Sequence, residues 1–413
     1  MIVLYDDALA REFEPFATSR PLGEVRAGAL LGRERWALWF GRAVDACIAA
    51  PHLAHFAEFD APPMAGLPLP VGTWLVNTRA LPVLHETTVG DADAIRIGAH
   101  IAAVQLREPL ADATQRDGTL RDGTLMLDSL VRRDAVTQRI DGVWLNAPWD
   151  IIRHLSTQLG QDIPALAATL GATTLGDRMP NGPTIVGEAP VFVESGAHIE
   201  PYTVFDTRGG PVLLRRGATV HAFTRIVGPC YIGQDSNVSG DRIAASSIGD
   251  VCRVHGELSM SVFIGHANKG HDGFVGHSIL GRWVNLGAGT ITSNLKNTYG
   301  TVAMWSPGGI RDTGLQFAGT LFGDHVKTGI GLRLTTGCVL GAGANVMDAM
   351  PPKVVTPFSW GTGAPYAVFD GDKFLSTAAR VMARRQVELD ERHQIHWESV
   401  IAHVLADRRW PPR

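Results

Sequence analysis

The chain has 413 residues, 37 basic against 41 acidic side chains and a net charge of −4, so it is too long for one ordinary domain and lacks the basic surface of a nucleic-acid binder. Its four cysteines (Cys47, Cys230, Cys252, Cys338) form no CxxC pair, which argues against a disulfide framework or a cysteine-rich zinc site. The start MIVLYDDALAREF has no signal-peptide pattern and no apolar run reaches membrane length, so a soluble cytoplasmic protein is expected, without a membrane or nucleic-acid partner.

Ile2 to Tyr5 reads as a short buried strand, followed by Asp6 and Asp7. An amphipathic stretch around Gly28 to Phe40, with Leu30, Leu31, Trp36 and Leu38, predicts a helix. Arg20 and Arg26 lie on its approach. Arginines near a helix start suit a bound phosphate, through bidentate donors and the helix dipole, and equally suit a salt-bridged surface. Ala61 to Pro70 reads as a loop, GTWLVNTRALP as a strand, Ala94 to Leu106 as a strand or strand pair, and Val143 to Asn146 as another strand. The tandem RDGTLRDGTL (Arg116 to Leu125) reads as two Asp-Gly turns. PWDIIRHLSTQLG and DIPALAATL predict two helices, and GATTLGDRMPNGP a linker.

From Thr184 to Met350 aliphatic residues return every six positions, with Leu214, Val220, Ile226, Ile232 and Val238 the longest run. Ile248 and Val254, then Phe322, Leu334, Leu340 and Val346, keep the beat after interruptions. A period of six fits neither an α-helix nor a flat strand, and marks a parallel β-helix of hexapeptides. Glycine follows Ile232, Ile248, Ile264, Leu286 and Leu340, where a positive φ would let the chain turn a corner. PFSWGTGAPYAVF would cap the open end of the coil. From Asp370, Phe374, Ala378, Val381 and Met382 share one helical face, and Ile395 to Leu405 continue as helix.

One stretch of the coil carries chemistry. His271 is followed by Phe274, by Asn285-Leu286-Gly287-Ala288-Gly289-Thr290 and by Asn294. The spacing resembles the acetyltransferase half of the bifunctional UDP-N-acetylglucosamine pyrophosphorylase/glucosamine-1-phosphate N-acetyltransferases. The whole chain looks most like a divergent bacterial branch of that family, in which an RPxxExRxG segment (Arg20 to Gly28) opens the N-terminal half and PFSWG (Pro357 to Gly361) follows the coil.

The resemblance implies an α/β nucleotidyltransferase-like domain (residues 1–170), a left-handed β-helix acyltransferase domain (184–350), and a capping segment with C-terminal helices (351–413). His271 would be the general base that deprotonates a sugar amine attacking the thioester of acetyl-CoA, since imidazole ordinarily titrates near neutral pH. Phe274, Asn285 and Arg242 would contact the sugar phosphate. Ala288, Asn294 and Leu295 would line the acetyl-CoA cleft of a homotrimer. Arg20 and Arg26 would serve the N-terminal substrate, a nucleoside triphosphate or UDP-sugar, with Mg²⁺ bridging the phosphates if that domain is active.

The sequence departs from the family at three places. Phe274 replaces a tyrosine, Ser259 and Met260 stand where a lysine precedes the histidine, and only Lys296 is near the position of a later lysine. The N-terminal half also has DDALAREFEPFATSRP where such domains carry a glycine-rich phosphate loop. Three other readings stay open: a nucleotidyltransferase with a purely structural coil, a trimeric scaffold, and a zinc enzyme using His255, His266 and His271.

Overall fold

The computed structural model describes residues 1–84, 90–111, 119–176 and 182–412. Parts of the tandem duplication (112–118) and of the linker (177–181) lie outside them. The chain divides into two compact units. One comprises Met1–Val25, Leu30–Asp150 and Leu389–Ala406; the other comprises Arg26–Ala29, Ile151–Glu388 and Asp407–Arg413.

The first unit is built on a mixed six-stranded sheet. Its strand Ile2–Tyr5 runs parallel to Ala46–Ile48 on one side and to Trp74–Asn77 on the other. Hairpin strands Ala94–Ile97 and His100–Gln105 extend it, and Thr137–Ile140 closes the edge. Side chains alternate across this sheet. Ile2 and Leu4 pack with Trp36, Trp39 and Trp74, whereas Val3 and Tyr5 pack with Ile48, Leu75 and Leu125. The period of two thus buries both faces. The helix is shorter than its amphipathic stretch suggests, Gly32–Phe40, because Gly28 takes a positive φ of 65° and turns the chain first.

The second unit is the β-helix. Three parallel sheets stack along one coil, and each turns one row of side chains inward. In the first sheet that row includes Leu214, Ile232, Ile248, Phe263, Leu280, Phe322, Leu340 and Val355. Phe205, Ile226, Ile243, Leu258 and Val275 form the row of the second sheet. Val220, Val238 and Val254 belong to the third. All but Val254, at 2 %, are fully buried. Each such aliphatic side chain contributes roughly 1.5–3 kcal/mol of transfer free energy.

Corner amides are satisfied by a hydroxyl ladder. Ser246 Oγ accepts from Ser261 N, Ser261 Oγ from Ser278 N, and Ser278 Oγ from Thr320 N, at 2.9–3.1 Å. Each hydroxyl donates in turn to a carbonyl two residues back. The corners therefore close without buried orphan N–H groups at these positions.

The glycines after the inward aliphatics have a different cause from the one expected. Of the glycines expected to turn corners only Gly265 has a positive φ, and it follows Ile264, which lies outside the inward row because Phe263 takes that place. The left-handed corner residues are instead Asp235, Val251, His266, Trp283 and His325. At Gly233 a Cβ would stand 2.6 Å from the Gly249 carbonyl carbon and 2.7 Å from Asp250 N, and Gly249, Gly287 and Gly341 meet the next coil in the same way. Close stacking of successive coils is what selects glycine there.

A 16-residue helix, Leu155–Leu170, packs on the outside of the first sheet and belongs to this unit. A short helix, Asp150–Arg153, precedes it, so two helices form as the sequence suggests, but the break falls at His154 and Pro164 lies inside the second. Leu155, Leu159, Ile163 and Leu166 give it an apolar stripe at i, i+4, i+8 and i+11, and burial of that stripe outweighs the backbone hydrogen bond lost at proline. An antiparallel hairpin, Ala303–Ser306 with Gly309–Asp312, interrupts the coil between Thr292 and Leu321. Helix Gly371–Ala383 follows the cap, its first turn closed by Asp370 accepting from Lys373 N at 3.0 Å.

Candidate active site

On the coil, His271 stands exposed on the turn between the strands Asn268–Lys269 and Phe274–Gly276. The turn is held from two sides, by the next coil and from within. Gly289 N donates to Asp272 O at 3.2 Å, which stacks the Ala288–Gly289 turn directly on it. Gly331 N donates to Ala288 O at 2.7 Å one coil further on. From inside, the buried Lys269 ammonium donates to the carbonyls of His255 and His271 at 2.6 and 2.8 Å.

Asn285 lies on the face beside that edge, where its Oδ1 accepts from Asn268 Nδ2 at 2.7 Å. Phe274 lies on the other adjoining face, in the outward row that also carries Arg225, Arg242 and Glu257. Arg242 is half exposed and 4.0 Å from Glu257, so its guanidinium remains close to solvent. Asn294 is at the far edge of the Phe274 face. Its Nδ2 is 2.8 Å from His277 Nδ1, and the His277 ring stacks on Phe317 at 5.3 Å. Leu295 bridges Phe317 in antiparallel fashion at the root of the inserted hairpin. His271 and Ala288 therefore share one edge, Asn285 and Phe274 flank it, and Asn294 with Leu295 sits one face-width away.

Two side chains of this region were not singled out from the sequence. Arg333 pairs in register with Ile291 above the Phe274 strand, but it follows the inserted hairpin, and no local spacing links it to His271. His277 carries no motif of its own. Burial pushes its imidazole down to about 4 from an ordinary 6.5. Unfolded chain takes up this proton near 6.5 and folded chain only near 4, so the unfolded state binds more protons between those values. Stability is expected to be full above pH 6.5 and to fall as pH drops towards 4. His277→Gln, which keeps an acceptor for the Asn294 amide but does not titrate, should reduce that slope in melting curves taken across the window, leaving the part due to His396, which burial likewise holds down to about 4.

The zinc reading is not supported by this geometry. His255 Nδ1 lies 3.2 Å from Ser239 Oγ, and His266 Nδ1 lies 3.2 Å from Arg282 Nη1. Among the described residues no three His, Cys, Asp or Glu side chains gather to hold a metal ion.

In the N-terminal unit, the strand Ile2–Tyr5 has parallel neighbours on both sides, and the crevice at the carboxyl ends of such strands is where α/β sheets bind ligands. A cavity of about 400 Å³ opens there, lined by Cys47, Ala50, Met64, Leu67 and Arg121 among others. The place of a glycine-rich loop is taken by side-chain chemistry. Arg11 donates to the carbonyls of Asp6 and Leu120 at 3.0 and 2.9 Å, and to that of Arg121 at 2.5 Å. Asp7 receives Arg79 on both oxygens at 2.7–3.0 Å, and Asn77 as well. Burial raises Asp6 to about 6, with Thr78 and Leu22 N as its hydrogen-bond donors. Carboxylates so engaged do not suit Mg²⁺, which asks for free oxygen ligands.

Arg20 and Arg26 are buried, each at 2 % exposure. Arg20 makes a bidentate pair with Glu58 at 2.7 and 3.1 Å, so a phosphate would have to displace that carboxylate. Arg26 donates to the carbonyls of Ala29 and Ile264 and lies over the Tyr231 ring at 5.4 Å.

Residues 2–169 match the family of sugar nucleotidyl transferases. The chain is 33% identical over 133 residues to the bifunctional protein GlmU of Bartonella quintana, covering 29% of this chain and 28% of that protein. It is 28% identical over 201 residues to the bifunctional protein GlmU of Desulfitobacterium hafniense, covering 42% and 41%. A third relative, 32% identical over 90 residues and 22% of each chain, is a bifunctional sugar-1-phosphate nucleotidylyltransferase/acetyltransferase of Sulfurisphaera tokodaii. The chain thus spans less than half the length of these relatives. Among the described residues no helix is long and apolar enough to cross a membrane.

Proposed function

This chain is a divergent relative of the GlmU-type bifunctional proteins with a sugar nucleotidyl transferase domain at residues 2–169, and on that premise we propose that its β-helix transfers an acetyl group from acetyl-CoA to an amino-sugar phosphate. The observation that carries the proposal is the stacking of the His271–Asp272 turn under the Ala288–Gly289 turn, flanked by Phe274 and Asn285. One exposed imidazole is thereby presented on a rigid edge, beside an amide and an aromatic ring suited to a sugar phosphate.

In this reading His271 takes a proton from the sugar amine as its nitrogen attacks the thioester carbonyl carbon. The carbon–sulfur bond breaks, and the imidazolium returns the proton to the departing thiolate. Asn285 orients the acceptor. Asn294, held by His277, meets the acyl donor. Loss of the tyrosine hydroxyl at Phe274 removes one polar contact and favours an acceptor other than glucosamine 1-phosphate. A trimer in which neighbouring coils form the acetyl-CoA cleft fits this reading.

The test is thiol release from acetyl-CoA against a panel of amino-sugar phosphates, with the acetylated product identified by mass. Release with at least one acceptor is expected. No release with any of them would end the proposal.

The match over residues 2–169 favours a second reading, nucleotidyl transfer to a sugar 1-phosphate in the N-terminal unit. Against it stand the Arg11 and Asp7 contacts, which fill the strand ends with internal partners. Pyrophosphate release from a nucleoside triphosphate in the presence of sugar 1-phosphates is the assay that separates the two.

A further inference from the structure

Lys269 occupies a position that the coil reserves for aliphatic side chains. Its register partner is Val254, and Val238 and Val220 precede it in the same inward row. The same row continues through Leu286, Thr328 and Val346 on the next three coils, so Lys269 is its one charged member among the described residues. Lys269 is only 2 % exposed. Removing an ammonium from water is costly, and a lysine enters a core only where its donors are used. Two are, on the carbonyls of His255 and His271 at 2.6 and 2.8 Å.

His255 ends the strand Arg253–His255, and His271 lies on the turn that follows Asn268–Lys269 one coil later. The space around the ammonium is tight: a Cβ on Gly256 would stand 2.9 Å from Lys269 Nζ and 3.1 Å from the Asp272 Cα. The lysine therefore ties the outer turn to the rigid interior. Asp272 and Asp241 supply the nearest negative charge, and burial brings the lysine down to about 8.

We infer that Lys269 is a positioning residue, which clamps the turn bearing His271 from inside the coil and so fixes where the imidazole is presented. The catalytic part of this inference rests on the acetyl-transfer reading; the clamp itself does not. A methionine in its place matches the aliphatic row, and the two released carbonyls lie at a turn that water can reach. A purely structural lysine and a positioning lysine then differ in what Lys269→Met changes.

The experiment compares full-length wild type, Lys269→Met and, should the methionine variant not fold, Lys269→Leu, by amide hydrogen exchange, melting temperature and steady-state kinetics with acetyl-CoA. Exchange of the Gly289 amide, which donates to Asp272 O on the clamped turn, should rise about tenfold or more, with the rest of the coil and the melting temperature kept. The kcat should fall about 10- to 100-fold, because small displacements of a reacting group are costly, while KM for acetyl-CoA stays within about twofold. Unchanged exchange at the Gly289 amide would overturn the clamp. Raised exchange with wild-type kcat would overturn the positioning role. If wild type shows no His271-dependent turnover, that result counts against the acetyl-transfer reading, and exchange alone then decides the clamp: raised, it stands; unchanged, it falls.

Discussion

His271→Ala is expected to lower acetyl transfer by about 10²- to 10⁴-fold, the contribution of a positioned general base. The side chain is exposed on its turn and makes no core contact on which the coil depends. Its removal should therefore shift stability by no more than about 0.5 kcal/mol. The turn is fixed by backbone atoms of residues 271 and 272, which alanine retains. Thiol release measured together with the melting temperature separates a chemical loss from an unfolding loss. A variant that is folded and still turns over at the wild-type rate would remove His271 from the mechanism. His277→Gln is the companion: it should retain most activity, since it keeps a polar partner for Asn294.

Arg20→Ala is expected to destabilise the N-terminal unit by about 3–5 kcal/mol, the usual consequence of leaving one partner of a buried ion pair behind. Glu58 would lose both guanidinium contacts, at 2.7 and 3.1 Å, while its side chain is only 11 % exposed. The Phe56 ring and His396 of the helix Glu391–Ala406 pack around the same pair, so the loss should spread to that helix. Urea denaturation of Arg20→Ala, Glu58→Ala and the double variant would show it. The double variant should be less damaged than the sum of the singles, because no uncompensated charge remains. An Arg20→Ala protein as stable as wild type would mean that the pair is not structural and would return Arg20 to the pool of phosphate ligands. Any loss of pyrophosphate release in Arg20→Ala therefore has to be read against the folded fraction.

Pattern alone determined the coil, because a period of six is a local property of sequence. Leu214, Val220, Ile226, Ile232 and Val238 are all fully buried, as their spacing requires. The alternation of Ile2 to Tyr5 and the helical face of Phe374, Ala378 and Met382 were legible for the same reason: each repeat reports one buried face. So was the spacing from His271 to Asn294.

Tertiary structure decided what depends on neighbours distant in the chain. Lys269 could not be placed inside, because the coil loses its phase around it. Leu214 and Ile232 stack eighteen residues apart, Ile248 and Phe263 only fifteen, and Leu280 and Phe322 forty-two. Glycine at Gly249 answers to the backbone of the next coil, not to its own φ, and no reading of one coil reveals that. Arg20 and Arg26 look like phosphate ligands in sequence because their partners, Glu58 and Ile264, are 38 and 238 residues away. The sequence therefore determined which residue types recur. Folding chose which of their polar groups are already satisfied and which, like the His271 imidazole, are left facing solvent.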